Sequence, residues 1–265
     1  MRFKKTKKEI LEIINVQSIP TNIEKYIDNN VYDKTFSNRG NVFYIENKRV
    51  YLKVANLNYL KEEYINTLYF NEMGLAPQVL EFVQDKQKDY LITKELVGEN
   101  GISNNHLKNP EKLAYNFGKH LRMIHSMNLK EKPTTDRIKI LLKQCSENVN
   151  NDKLDIDEFL HTYGFTPNQG LLMLDSLSNY YKNDVVIHGD YCLPNIIMND
   201  YEFSGIIDMD SSGLGDRHYD ICSALNSLNM NLKTKDYDNI FLDSYGRDMI
   251  DKGRMSFAKL LQILS

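Results

Sequence analysis

The stretch from Val185 to Asp220, VVIHGDYCLPNIIMNDYEFSGIIDMDSSGLGDRHYD, constrains this chain more than any other feature. In it His188-Gly189-Asp190 is followed by Asn195, five positions after the aspartate, and a second apolar run then delivers Asp208, eighteen positions after Asp190. Phosphoryl transfer calls for these groups. One aspartate accepts or orients the proton of the acceptor hydroxyl, and an Asn and a further Asp hold magnesium against the phosphates of a nucleotide. Magnesium takes oxygen ligands and keeps several of its waters, so few protein groups suffice. Asp190 is therefore the candidate catalytic residue, and Asn195 and Asp208 are the candidate metal ligands. A lone HGD could be a turn and a lone Asp208 a helix cap, but together and in order they are hard to read as structure only.

The rest of the chain changes character along its length. NVFYIENKRVYLKVA reads as a hairpin, with β-branched and aromatic residues on both sides of Glu46-Asn47-Lys48. LKEEYINTLYFNEM, residues 60–73, has a helical rhythm carried by Leu60, Tyr64, Leu68 and Phe70, ended by Gly74 and Pro77. PQVLEFV and DYLITKEL read as two more strands. Beyond residue 97 helices dominate, and PEKLAYNFGKHLRMIHSM places Leu113, Phe117, Leu121 and Ile124 on one face. The expectation is an α+β, two-lobed chain: a small strand-rich lobe over 1–96 and a larger, mostly helical lobe over 97–265.

Composition excludes several classes. The formal net charge is −3, without the basic excess that nucleic-acid binding calls for. Cys145, Cys192 and Cys222 are odd in number and widely spaced, with no CxxC pair, which reads as reduced thiols in a cytoplasmic protein. The apolar stretch after the basic N-terminus is broken by Glu12, so no signal-peptide core forms, and no apolar run is long enough to span a membrane.

The Val185–Asp220 stretch resembles the catalytic core of aminoglycoside 3′-phosphotransferases and their relatives. Those carry an HGD-x-x-x-x-N loop, often with CLPNI, then SGFID and a D-R-x-x-D segment. This chain has HGDYCLPNI, SGIID and DRHYD. The protein-kinase catalytic loop shares the Asp-to-Asn spacing. Leu121-Arg122 with His125-Ser126 is similar to the family's LRxLHS helix, where His125 reads as a core residue. Asp216 and Asp220 then brace the catalytic loop or start a helix, an acidic residue being favoured at a helix N-terminus.

The resemblance implies a protein-kinase-like fold, ATP or GTP as donor, and Mg²⁺. Lys53, at the end of VYLK, would contact the nucleotide phosphates and pair with an acid on the next helix. Glu63 is the better candidate because it precedes Pro77 by 14 residues, the spacing the family shows; Glu62 is the runner-up. The loop SNRGN, with Asn38 and Gly40, could cover phosphates with backbone N–H groups, although one glycine makes a poor motif. No Walker A sequence provides another cradle. The Lys94 carbonyl and Leu96 N–H are the hinge candidates for the nucleobase.

On the acceptor side, ENVNNDKLDIDE is acidic, and the relatives use a segment near here to contact drug amino groups. Asp155, Asp157 and Glu158 are the candidate substrate contacts, since opposite charge concentrates a cationic partner. Two departures from the family pattern weaken an aminoglycoside acceptor. The tail reads LLQILS where relatives often end in LLDE and aromatic residues, and Asp208-Met209-Asp210-Ser211 stands where IDxGR is common. The resemblance therefore implies phosphoryl transfer to an aminoglycoside 3′-hydroxyl. The alternatives are a kinase of choline or another small alcohol or antibiotic, or a nucleotide-binding pseudokinase module. The intact Asp190, Asn195 and Asp208 argue against the pseudokinase. A protein kinase is disfavoured by the lack of HRD, DFG and APE, and a metal hydrolase by unpaired histidine spacing.

Overall fold

The computed structural model describes residues 4–35, 40–127 and 135–265. The chain divides into two compact units. One comprises Met1–Gly98 with Ile197–Asn199 and Ser204–Asp210, and the other comprises the remainder.

The first unit is built on a six-stranded antiparallel sheet of order β1-β2-β3-β4-β6-β5. Its strands are β1 (Lys4–Lys5), β2 (Val31–Asp33), β3 (Asn41–Ile45), β4 (Val50–Asn56), β5 (Val79–Gln84) and β6 (Lys88–Lys94). The expected hairpin is β3–β4, joined by a turn at Glu46–Lys48 that closes on Arg49 in the left-handed region at φ 54°. Along β4 Val50, Leu52 and Val54 point into a core with Ile10, Ile14, Phe43, Ile45, Tyr90 and Ile92. The period of two in a strand sends Lys53 to the opposite face. Its neighbours in register are Val42 and Leu91, so it sits in the middle of the sheet. Helices α1 (Lys7–Ile14) and α2 (Thr21–Glu24) contribute Ile10, Ile14 and Ile23 to the same core.

Helix α3 (Lys61–Glu72) occupies the expected residues but buries a partly polar face. Glu63, Asn66, Thr67 and Phe70 are inside, whereas Ile65 and Leu68 are exposed. Of the expected face, Leu60 and Phe70 are buried and Tyr64 packs half-buried against Leu60 and its neighbours, but Leu68 is exposed, which corrects the expectation at that position. The helix is held by polar partners: Glu63 meets Lys53, Asn66 Nδ2 donates to Met209 O at 2.8 Å, and Leu60 N at its start donates to Asp89 Oδ2 at 2.9 Å. Apolar periodicity cannot register a helix face buried through hydrogen bonds.

The second unit is mainly helical. It contains β7 (Glu99–Asn100), α4 (Asn104–Leu107), α5 (Pro110–Ser126), α6 (Arg137–Asn150), α7 (Ile156–Tyr163) and α8 (Pro167–Ser176). Strand β8 (Val185–Ile187) leads to the HGD loop, and β9 (Ile196–Asn199) and β10 (Glu202–Ile206) follow, contributing in part to the first unit. Then come β11 (Gly213–Gly215), α9 (Arg217–Leu232), α10 (Asp238–Tyr245) and α11 (Lys252–Leu264). Asn109 caps α5 and Pro110 opens it, where a missing N–H costs nothing. Leu113, Phe117, Leu121 and Ile124 are all buried, as their spacing predicts. A core of Ile138, Cys145, Leu174, Val185, Ile187, Phe257 and Leu261 joins α6, α8, β8 and α11. Strand β8 pairs antiparallel with β11, Ile187 opposite Gly213, and so the chain leaves β8 from a fixed base. All three cysteines are thiols, none in a disulfide. No helix among the described residues is long and apolar enough to cross a membrane.

Candidate active site

The catalytic-loop motif folds as a short turn held from three sides. Gly189 has φ +80°, and a Cβ there would lie 1.9 Å from Ser211 O, so only glycine fits between His188 and Asp190. His188 is fully buried. Its Nδ1 accepts from Asp190 N at 3.2 Å, and its carbonyl accepts from Ser212 Oγ at 3.0 Å. With the preceding residues fixed, the Asp190 carboxylate is exposed. Asn195 orients it, donating Nδ2 to both the backbone oxygen and Oδ2 of Asp190 at 3.1 and 3.0 Å.

Asp220, near the start of α9, holds the loop from below. Its Oδ2 accepts from His188 N at 2.7 Å and its Oδ1 from Gly189 N at 2.9 Å. His125 Nε2 lies 3.2 Å from Oδ2. The carboxylate is fully buried, so these partners are what make its burial tolerable; hydrogen bonds to a charged group are worth roughly 1.5–3 kcal/mol each. Asp216 has a different task. It caps α9, accepting from His218 N at 2.9 Å, and it also receives Lys182 N and Arg254 Nε, each at 2.8 Å. These partners hold its carboxyl down at about 2, although burial alone would raise it. His125 is a core residue, as expected, with Asp220 on one side and Tyr245 Oη 2.9 Å away on the other.

Sequence reasoning passed over Tyr191. Its ring stacks on Phe117 with centroids 4.7 Å apart, and its hydroxyl donates to Phe117 O at 3.1 Å. The residue after Asp190 is therefore nailed into α5. Asp89, buried in β6 and accepting from Leu60 N at the start of α3, was missed too. Neither has a local signal, because the partner lies far away in the chain.

In the first unit Lys53 Nζ lies 2.7 Å from Glu63 Oε2 and 2.5 Å from Asp208 Oδ1. Of the two acids considered, Glu63 is the one that reaches the lysine. Burial disfavours the Lys53 ammonium, but Glu63 and Asp208 offset this and hold its pKa above the usual lysine range. Burial pushes the Glu63 carboxyl up to about 7 against the pull of Lys53. Asp208 adopts φ +65°, a conformation that few residues other than glycine take and that clusters at functional positions. Ile206 N donates to Leu75 O at 2.8 Å just before it, which fixes the approach of the chain to Asp208.

The remaining expected site residues fall as follows. Asn38 lies outside the described residues. Gly40 precedes β3, and a Cβ there would meet Val54 O at 2.9 Å, so its glycine answers a close approach to β4. Lys94 closes β6 opposite Val50, with its N–H donated to Gln78 O at 2.8 Å. Leu96 follows, its side chain against Gly205. Asp155 is the N-cap of α7, accepting from Glu158 N at 2.8 Å, and Asp157 and Glu158 fill the first turn, exposed. Their acidity thus has a helix-capping reason, legible beforehand as Asp-x-x-Glu ahead of an apolar run. Gln262 is tied to α9, donating to Tyr219 O and Ser223 Oγ at 2.9 and 2.7 Å.

The Asn195 amide nitrogen is engaged with Asp190, which leaves its Oδ1 as a lone-pair oxygen of the kind a hard cation takes. In the first unit Asp208 presents a carboxylate of the same kind, 45% exposed.

The model of the phosphotransferase enzyme family matches residues 31–257. A probable aminoglycoside 3′-phosphotransferase of Lactococcus lactis is 34% identical over 260 residues, covering 94% of this chain and 96% of that protein. The chain belongs to the phosphotransferase enzyme family. Solved structures agree in fold with this family member. The crystal structure of an aminoglycoside-3′-phosphotransferase of type VIII superposes with a TM-score of 0.72 at 21% identity, covering 88% of this chain and 91% of that one. An aminoglycoside phosphotransferase of Streptomyces rimosus in complex with ADP and streptomycin gives a TM-score of 0.67 at 21% identity, covering 84% and 90%. The α+β, kinase-like fold expected from the sequence is therefore the fold of this phosphotransferase.

Proposed function

We propose that this phosphotransferase moves the terminal phosphoryl group of ATP or GTP to the 3′-hydroxyl of an aminoglycoside. The observation that carries the reading is the exposed Asp190 carboxylate, oriented by Asn195 on a loop anchored by Asp220. Asp190 accepts the proton of the acceptor hydroxyl or orients it. Lys53, fixed as a cation by Glu63, steadies the nucleotide phosphates. Asn195 Oδ1 and the Asp208 carboxylate are the proposed ligands of Mg²⁺, which when bound neutralises phosphate charge. The Lys94 carbonyl and Leu96 N–H are the proposed nucleobase contacts, and Asn38 and Gly40 belong to the proposed phosphate loop. Asp155, Asp157 and Glu158 are the proposed contacts for substrate amines, and the reading places the enzyme in the cytoplasm. The substrate class follows the Lactococcus relative's name and the Streptomyces neighbour's bound streptomycin.

A second acceptor reading has its own support. Asp155 already caps α7 and Gln262 is tied to α9, so two positions considered for drug binding carry other work. A smaller amino alcohol needs fewer anionic contacts. The test is a nucleotide-consumption screen over aminoglycosides and small amino alcohols. Turnover with aminoglycosides supports the first reading, turnover with choline-like alcohols alone replaces it by the second, and no turnover with any alcohol defeats both.

A further inference from the structure

We infer that Tyr245 is a positioning residue for the catalytic loop, acting through His125 and Asp220 by fixing which imidazole nitrogen carries the proton. The inference rests on the phosphotransferase reading of Asp190. Tyr245 ends α10 and is fully buried, and its hydroxyl lies 2.9 Å from His125 Nδ1. The Asp220 carboxylate accepts the two loop N–H groups and lies 3.2 Å from His125 Nε2, so the imidazole proton sits on Nε2. Nδ1 then carries a lone pair and accepts from the Tyr245 O–H.

The bonds thus run in one direction from Tyr245 through His125 to Asp220, and Asp220 accepts the N–H groups of His188 and Gly189. With the proton on Nδ1 instead, the Nε2 lone pair would oppose the carboxylate. Asp220 would lose a donor and draw back from the two amides that hold Asp190 in place. The Tyr245 O–H opposes that state, because a proton on Nδ1 would take away the acceptor that this buried O–H meets. Its ring packs edge-on to His125 with centroids 5.8 Å apart, and Arg122 Nη1 donates to the Tyr245 carbonyl at 3.4 Å, so the residue keeps its place without the hydroxyl.

Tyr245→Phe removes the hydroxyl alone. The expected result is a fall of about tenfold in kcat, the size of one positioning hydrogen bond, with KM for nucleotide and acceptor unchanged. The backbone amide resonances of His188 and Gly189 in ¹⁵N-labelled protein should move. His125→Gln supplies an amide N–H that needs no tautomer control, so adding Tyr245→Phe to it should cost little more. Unchanged kcat in Tyr245→Phe, unmoved His188 and Gly189 amides, or an undiminished Tyr245→Phe effect in the His125→Gln background would each overturn the inference. If the wild type turns over no alcohol, the function reading fails, and the amide resonances still decide the role of Tyr245.

Discussion

Asn195 donates its Nδ2 to Asp190 Oδ2 at 3.0 Å, five residues earlier in the same loop. The bond turns an exposed carboxylate, which would otherwise sample several rotamers, into one held at a fixed angle to its loop. It also leaves the opposite oxygen, Oδ1, for the proton of the proposed acceptor hydroxyl.

Asp190→Asn keeps the shape and removes the proposed proton acceptor. Turnover should fall by about 10²–10⁴-fold, the usual contribution of a general base, while nucleotide affinity measured by calorimetry stays near the wild-type value. Turnover close to wild type would place the base elsewhere.

Asp208→Ala acts on the donor side. It removes a proposed magnesium ligand and one of the two acids on Lys53. Calorimetric titration with nucleotide should show that magnesium no longer strengthens binding, and turnover should be lost. A magnesium effect of undiminished size would mean the cation is held by other groups.

Much of this was legible beforehand, for reasons that differ by residue. The β3–β4 hairpin and the α5 face at Leu113, Phe117, Leu121 and Ile124 follow from local periodicity, and the loop from Asp190 to Asn195 from a dense motif. Helix α3 misled at Leu68 because part of its inner face is polar: Glu63 meets Lys53, Asn66 meets Met209, and the Thr67 hydroxyl donates to Glu63 O. The partners of His125 could not be read, since Asp220 and Tyr245 lie 95 and 120 residues away. Asp155 carried a capping signal that its charge obscured.

Asp216 gives a stability prediction with a defined pH window. Its pKa is lowered from 3.8 to about 2 in the folded protein. A depressed carboxyl stabilises the fold above its unfolded pKa, and that contribution fades as pH falls through the folded value. The shift corresponds to about 2 kcal/mol, present above about pH 4 and lost between about pH 4 and pH 2. Asp216→Asn should lower the Tm at neutral pH, where Arg254 loses its buried partner. The gap from wild type should narrow over that acidic range. A gap independent of pH would show that the carboxylate charge is not what holds α9 and α11 together.

The acidic start of α7 can be tested without unfolding it. Asn caps a helix about as well as Asp, so the triple change Asp155→Asn, Asp157→Asn and Glu158→Gln removes charge and keeps the cap. If these groups hold substrate amines, KM for an aminoglycoside should rise more than kcat falls, the pattern of lost uniform binding. Wild-type activity should also weaken with added salt, which screens exposed charges. Unchanged KM would leave the three acids with helix capping alone.

The measurement that tests the central claim most directly is phosphorus–proton correlation NMR of the product formed from two aminoglycosides that differ only in having or lacking a 3′-hydroxyl. The account predicts one phosphomonoester, with its phosphorus coupled to the 3′ ring proton, from the first compound and none from the second, and no product from either with Asp190→Asn. Equal phosphorylation of both compounds, or coupling to any other ring proton, would contradict it.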